Sequence, residues 1–273
     1  MADKVIQRRL LIGVLFIASL VMLFPLYWLV TGALKTEVEL MRIPPTLWPL
    51  EPRPQNFIEA WSVGDFTRYT FNSLIIAAGT VIGVVVSSTM AGYALAKYRF
   101  RGRTVFFSFI LLTLLIPGQS TAIPLYLRMR DLSLLNNPLG VILPAVAGGF
   151  GTFLVRQYLQ AFPSELLDAA RIDGAGEFRI FAQIVVPHLG PVIATLVIIV
   201  FMASWDSFFW PLIVLSSPGN YTLPIGIALF QDQYVTTRSY VLAVSALATV
   251  PVLVVFALAQ RHFIEGIALS GLK

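Results

Sequence analysis

Residues 168–187 read DAARIDGAGEFRIFAQIVVP, and the stretch carries five charges in its first twelve residues. A charge-free run, 132–155, precedes it, and another, 180–205, begins within it. A chain that returns to charge between two such runs leaves an apolar medium and then re-enters it. This stretch sets the architecture: a polar segment hung between membrane crossings.

Composition points the same way. The chain has 273 residues, of which 57% are hydrophobic and 12% charged. That charged share is about half the usual value for a soluble domain. Mean hydropathy is +0.81. These values describe an integral membrane protein. There is no cysteine, which excludes disulfides and thiolate metal sites. The two histidines, His188 and His262, lie beside the ends of apolar runs and read as interfacial. The net charge of +5 is spread over the gaps between runs. Such residues set orientation in a membrane protein, so nucleic acid is not an expected partner.

Six charge-free windows, of 22 to 28 residues, cover 10–34, 69–96, 104–127, 132–155, 180–205 and 239–260. Each is long enough for a helix to cross a hydrocarbon core, which takes roughly 20 residues. The expected fold is all-α and integral to the membrane, with six transmembrane helices. The first window is too long for a signal h-region of about 7–15 residues, and TGALK behind it lacks an A-x-A pattern. It reads as a retained span.

Six spans put both termini on one side, together with 97–103 and 156–188. That side holds 12 Lys and Arg against 7 on the other, with KYRFRGR (97–103) its strongest element. The positive-inside rule makes it cytoplasmic. Both termini and the charged segment are thus expected in the cytoplasm.

Three features fall within the spans. Gly79, Gly83, Ser87 and Ala91 recur every four residues, a small-residue face that admits close approach of another helix. LLIPGQSTAIPLY (114–126) places Pro117 and Pro124 around Gln119, Ser120 and Thr121. Irregular backbone at that depth is tolerated where protein or a watery cavity surrounds it. It reads either as a kink satisfied by neighbouring helices or as a cavity wall meeting a polar solute. Asp206, in ASWDSFFWP, directly follows the 180–205 window and reads as the one acid well inside a span. Insertion costs it on the order of 3 kcal/mol, so it should face the bundle or water. Trp205, Phe208, Phe209 and Trp210 beside it suit a sugar ring as well as an interfacial belt.

No Ser/His/Asp set, HExxH or metal-spaced cluster occurs. No catalytic or metal-ligating residue is therefore assigned. A GxxxxGK[ST] loop is absent too, so the chain has no P-loop for ATP.

The charged segment itself has a local logic. Ser164 can cap a helix after Pro163, and Glu165 suits its positive end. ELLDAARI then reads as a short amphipathic helix, broken at Asp173-Gly174 because glycine permits a left-handed turn. A second short helix follows, with Phe178, Phe181 and Ile184 on one face and Pro187 at its end. On physics alone this is either an amphipathic hairpin on the lipid surface or a lever for a partner.

The pattern resembles the EAA loop of binding-protein-dependent ABC transporter permeases, roughly E-A-A-x-x-D-G-A, then nine residues after the glycine, then I-x-L-P. Asp168-Ala169-Ala170, Asp173-Gly174-Ala175 and Ile184-Val185-Val186-Pro187 fall on it. Asp168 stands for Glu, one methylene shorter with its charge kept, and Val186 stands for Leu. FTRYTFNSLIIA (66–77), IPLYLRMRDLSLLNN (123–137), WDSFFWPLIVLSSPGNYTLPIGIALF (205–230) and RHFIEGIALSGLK (261–273) look like the maltose-transporter type of carbohydrate permease. The likeness covers nearly the whole chain.

The resemblance implies a type I ABC importer permease in the bacterial plasma (inner) membrane, crossing it several times. Residues 1–68 would be an N-terminal transmembrane helix with an extracytoplasmic loop, and 69–273 the permease core, with the EAA loop at about 163–187. That loop would be the coupling element docking on a separate ATPase, through Glu165, Asp168, Ala169, Ala170, Arg171, Asp173, Gly174, Ala175 and Phe178. Implied partners are a second homologous permease subunit, two ATP-binding subunits, an extracytoplasmic solute-binding protein and the lipid bilayer. This chain would carry no cofactor, with ATP and Mg held by the ATPase. A sugar or sugar-like solute is the expected cargo, with a glycerophosphodiester or an amino sugar as alternatives. Asn72, Gln119, Ser120, Thr121, Trp205 and Asp206 are the candidates for its path. The extracytoplasmic loop 35–68, with five prolines, reads as extended and polar-faced. With SPGNYTLP and GIALFQDQY (226–234) it would meet the binding protein. A secondary transporter would want more intramembrane charge or an internal repeat, and a membrane enzyme a catalytic constellation.

Overall fold

The computed structural model describes the backbone of residues 2–233 and 237–270, and the side chains of 7–233 and 237–258. The side chains of RHFIEGIALSGLK, with His262, and Tyr234 at the end of GIALFQDQY lie outside that range. The chain is 78% helix, without a strand among the described residues. Helices satisfy their own backbone groups, which is what hydrocarbon surroundings demand.

Four helices are long and apolar enough to cross a membrane: Gln7–Ala33, Phe66–Lys97, Pro138–Gln160 and Arg238–Leu258. Two further candidates are bent pairs. Arg103–Thr113 and Gly118–Asp131 meet at 99°, and Glu177–His188 and Gly190–Trp205 at 74°. By length and composition, the count among the described residues is therefore four to six. Two of the six charge-free windows are broken rather than straight, and each break has a proline. Pro117 precedes a 3-10 turn, Gly118–Thr121, and disfavours helical backbone in the residue before it. Pro191 sits in the first turn of Gly190–Trp205, where its missing N–H costs nothing.

Residues 1–67 with 226–250 form one compact unit, and 68–225 with 251–273 a second. In the first, Ala2–Ala33 exposes apolar side chains from Leu10 to Leu26 and becomes buried only near its end. There the Asn56 amide donates to the carbonyls of Ala33 (2.8 Å) and Lys35 (3.0 Å), closing helix-end acceptors that have no partner within the helix.

The segment after it is not the extended loop expected. It contains the short helices Glu37–Leu40 and Gln55–Val63 and folds around two buried charges. Lys35 is 1% exposed. Its ammonium donates to the Thr46 carbonyl and lies 4.6 Å from the centre of the Trp28 ring. Glu39 accepts from the Thr46 hydroxyl (2.6 Å) and the Leu50 N–H (3.0 Å). Burial would raise the Glu39 carboxyl, but these donors and the nearby Lys35 charge hold it below its ordinary value. Prolines read as extended by local preference. Two buried ions that each need donors or acceptors draw the segment into a compact turn instead.

In the second unit the small-residue face of Phe66–Lys97 meets Pro138–Gln160, as its spacing predicts. A Cβ added at Gly79 would come within 2.8 Å of Ile142, and one at Gly83 within 2.4 Å of Val146. The Ser87 hydroxyl donates to the Val146 carbonyl at 3.0 Å. Beyond it Gly92 lies against Val155 and Gly151 against Ser88. Ile76, Val141, Ile142, Val214, Leu215 and Ile225 form one core of this unit. Tyr93, Val155, Leu159, Leu167, Ile180, Val185, Leu189, Val192 and Leu196 form another.

Candidate functional site

The second of those cores carries the charged segment. Leu167 (1% exposed) and Ile180 (0%) root its two arms, while Ala170, Ala175, Phe181 and Ile184 pack partly against the same core. The first arm is the helix Glu165–Ile172. Its end is a closed cap. Gly174 takes φ +78°, its N–H donates to the Arg171 carbonyl (3.0 Å), and the Ala175 N–H reaches back to the Ala170 carbonyl (2.9 Å). That bond pair is the Schellman arrangement, so the break predicted at Asp173-Gly174 is where the helix stops.

The start of this arm differs from expectation. Ser164 makes no side-chain cap. Its hydroxyl instead accepts from the Lys97 ammonium (3.3 Å), which also donates to the Phe162 carbonyl. The segment is thus tied at its entry to the end of Phe66–Lys97.

Arg171 joins the arms. Its guanidinium donates to Asp168 at 2.7 Å on its own helix and to Glu177 at 2.8 and 3.3 Å on the next. Glu177 also accepts from the Tyr98 hydroxyl. Burial, and then the Glu177 carboxylate, hold the Tyr98 phenol above its ordinary value.

The second arm also departs from expectation. Helix Glu177–Ile180 runs into a π-turn, Phe181–Val185, and then Val186–His188. Pro187 does not end it. The wider π-turn relieves the clash between a proline ring and the carbonyl four residues before it, and the chain turns at Leu189 instead. The His188 Nδ1–H donates to the Ile184 carbonyl (2.6 Å), and the His188 carbonyl accepts from the Tyr158 hydroxyl (3.1 Å). Phe178 does not share a face with Phe181 and Ile184. The packed side is Ile180, Phe181, Ile184 and Val185, and Phe178 is 82% exposed. Leu166 and Ile172 are exposed too. Glu165, Asp168, Ala169 and Asp173 lie on the open side. Charged side chains and the exposed apolar Leu166, Ile172 and Phe178 thus share the open side of this elbow.

The candidates for a solute path sit elsewhere in this unit. Gln119, Ser120 and Thr121 form the exposed 3-10 turn at the 99° bend, with the Thr121 hydroxyl donating to the Gly118 carbonyl (2.9 Å). Asp206 caps the end of Gly190–Trp205 and is exposed. Trp205 is buried, stacked on Phe201 at 5.7 Å. The Asn72 amide is engaged, donating to the carbonyls of Gly219 (3.0 Å) and Tyr221 (2.9 Å). Asn72 thus anchors the SPGNYTLP turn.

That turn has a second anchor that sequence reading missed. Asn136, at φ +53°, accepts through its side-chain oxygen from the N–H groups of Ser216 and Ser217 and from the Ser217 hydroxyl, at 3.0–3.1 Å. Its own carbonyl accepts from the Asn220 amide (2.6 Å). The pair Asn136-Asn137 was the available signal, since asparagine tolerates the left-handed region. Lys97 and Tyr98 were missed likewise, because their partners lie 65 and more residues away.

Comparison with known proteins gives a consistent family. Residues 83–268 match the binding-protein-dependent transport system inner membrane component. The chain is 39% identical to the arabinooligosaccharides transport system permease protein AraQ of Halalkalibacterium halodurans, over 99% of this chain and 98% of that one. It is 34% identical to the sn-glycerol-3-phosphate transport system permease protein UgpE of Rhizobium meliloti, over 93% of each. Among solved structures, a chain of a bacterial ABC transporter that imports the acidic polysaccharide alginate superposes with a TM-score of 0.83 at 22% identity, covering 96% of this chain and 98% of that one. At that identity the likeness is one of fold.

Proposed function

Because the chain belongs to the family of binding-protein-dependent transport system inner membrane components, we propose that it is one membrane-spanning half of an ATP-driven importer for a sugar or sugar-like solute. The relatives named for arabinooligosaccharides and glycerol-3-phosphate support a polyhydroxylated cargo. Glycerophosphodiesters and amino sugars belong to the same chemical range. A second homologous permease would supply the other half of the path, an extracytoplasmic binding protein would deliver solute, and two ATPase subunits would bind ATP and Mg. Six crossings, with both termini and the 156–188 segment in the cytoplasm, fit the 12-to-7 bias of basic residues. The chain would reside in the bacterial inner membrane.

The observation that carries this reading is the Arg171-locked elbow with Phe178 and Ile172 bare at its tips. An ATPase surface that closes on such an elbow would move it as one piece, and the core beneath it would pass that motion to the spans. Asp168, Ala169, Ala170, Gly174 and Ala175 shape the elbow, with Glu165 and Asp173 at its edges.

The chain has no cysteine, so one thiol at Phe178 can be cross-linked to one on the candidate ATPase in native membranes. A specific adduct whose yield changes with ATP is the expected result. Labelling of that thiol from outside intact cells, or uptake driven by an ion gradient without ATP, would overturn the proposal.

A further inference from the structure

The loop KYRFRGR has work left over after its contacts to the elbow are counted. Lys97 is committed to Phe162 and Ser164, and Tyr98 to Glu177. One nitrogen of Arg103 donates to the Tyr98 carbonyl at 3.1 Å. Arg99 and Arg101 are exposed and make no ion pair among the described residues. A cavity of about 400 Å³ opens here, lined by Arg99, Phe100, Gly102, Arg103, Thr104 and Val105. It holds two guanidiniums, a hydroxyl and no carboxylate. Arg156 adds a further cation at this end of Phe66–Lys97, donating to the Leu95 carbonyl (3.4 Å) and lying 3.8 Å from the centre of the Phe107 ring. Phe100, Val105 and Phe106 stand 47%, 60% and 57% exposed around it. The acids Glu165 and Glu177 face Lys97 and Tyr98 on the elbow side.

We propose that this cavity binds the headgroup of an anionic phospholipid. Arg99 and Arg103, which line the cavity, would meet the phosphate and Thr104 would donate to it, with the exposed Arg101 adding its charge at the rim, while Phe100, Val105 and Phe106 sit among acyl chains. A cationic cavity bordered by exposed apolar side chains, between two apolar helices, matches a charged head on a hydrocarbon tail. A soluble phosphate would engage the cationic groups alone and make no use of the apolar side chains beside them. The site carries a consequence for coupling. The same seven residues hold the entry and the second arm of the elbow, so an occupied headgroup site stiffens the loop on which both depend. The proposal rests on the membrane reading and not on transport.

The test uses the full chain alone, purified in mild detergent, with phosphatidylglycerol and phosphatidylcholine as probes and retained lipid counted by native mass spectrometry. Each cation near an anionic lipid surface is worth about five-fold in binding. Wild type should therefore prefer phosphatidylglycerol by about ten-fold or more, R99Q/R101Q should lose most of that, and R99K/R101K should keep it. R128Q/R130Q removes equal charge elsewhere and should keep it as well. No headgroup preference in wild type, or equal loss in R128Q/R130Q, would overturn the site. Displacement of the lipid by millimolar glycerophosphate would overturn the lipid source in favour of a soluble phosphate. Because no ATPase is present, failure here is distinguishable from failure of the transport reading.

Discussion

The Arg171 guanidinium spans the Gly174 turn and donates to both carboxylate oxygens of Glu177, at 2.8 and 3.3 Å. Both side chains are substantially exposed, at 38% and 49%, so the pair contributes little to overall stability, about 0–1 kcal/mol. Arg171 does bridge the two arms, from Asp168 on one to Glu177 on the other. Glu177→Gln should leave the melting temperature within a few degrees of wild type and lower ATP-dependent uptake several-fold. A matched pair of thermal melts and uptake assays checks this, and a variant that melts early would assign the bond to folding instead.

Gly174 lies at the turn between the same two arms. At φ +78° a Cβ costs roughly 1–2 kcal/mol, and there is open space around it, with no atom within 4 Å of an added Cβ. Strain alone decides the outcome. Uptake should fall in the order Gly, Asn, Ala, Val, because asparagine tolerates left-handed backbone and a β-branched residue does not. Equal activity for Ala and Val would mean that the turn is not retained in the working protein.

Gly83 and Gly13 make an internal control. An added Cβ at Gly83 would lie 2.4 Å from Val146, whereas Gly13 has nothing within 4 Å. Gly83→Val should cost about 1–3 kcal/mol through overpacking and reduce the folded yield in detergent. Gly13→Val should be tolerated. Val146→Ala should partly rescue Gly83→Val, since it vacates the contacted atoms. Size-exclusion yield and melting in detergent read all three.

Glu39 gives a pH dependence with a definite sign. Its carboxyl is held below its ordinary value by Thr46, Leu50 and Lys35 in spite of burial. Its contribution is therefore complete above the unfolded value of about 4.3 and is lost as pH falls through the lower folded value. The Leu50 N–H, bound to Glu39 at 3.0 Å, should lose protection from hydrogen exchange in that acid window, after correction for intrinsic rates. Glu39→Gln should abolish the transition. A transition that persists in Glu39→Gln would point to another group.

Periodicity and spacing carried much of this architecture. Charge-free windows located the helices, because hydrocarbon demands both apolar side chains and satisfied backbone. The Gly79, Gly83 and Ser87 face announced a close neighbour but not which one, since Ile142 and Val146 lie about 60 residues on. Asp173-Gly174 was legible because a left-handed cap has a local chemical signature. The π-turn before Pro187 was not, because proline preferences are read from the chain while the relief comes from five-residue backbone bonding. Lys35 and Glu39 read as loop charges, and only the Thr46 carbonyl that accepts from Lys35 and the donors gathered around Glu39 make burial tolerable. Asn136-Asn137 carried a turn signature but not its role as an anchor, because the partners at 216–220 come from far along the chain.

Asn72 and Asp206 were both candidates for the solute path, and their surroundings predict different losses. The Asn72 amide closes the carbonyls of Gly219 and Tyr221, so Asn72→Ala leaves two acceptors without their donor, at about 1–3 kcal/mol. The SPGNYTLP turn should loosen, the melting temperature should fall, and uptake should fall with it at every solute concentration. Asp206 is exposed at a helix end, so Asp206→Ala should leave the melt unchanged. If its carboxylate accepts hydroxyl donors from a passing sugar, the half-saturating solute concentration should rise several-fold with little change in maximal uptake. Normal uptake by Asp206→Ala at low solute would remove it from the path, and a lowered melt would make it a structural cap.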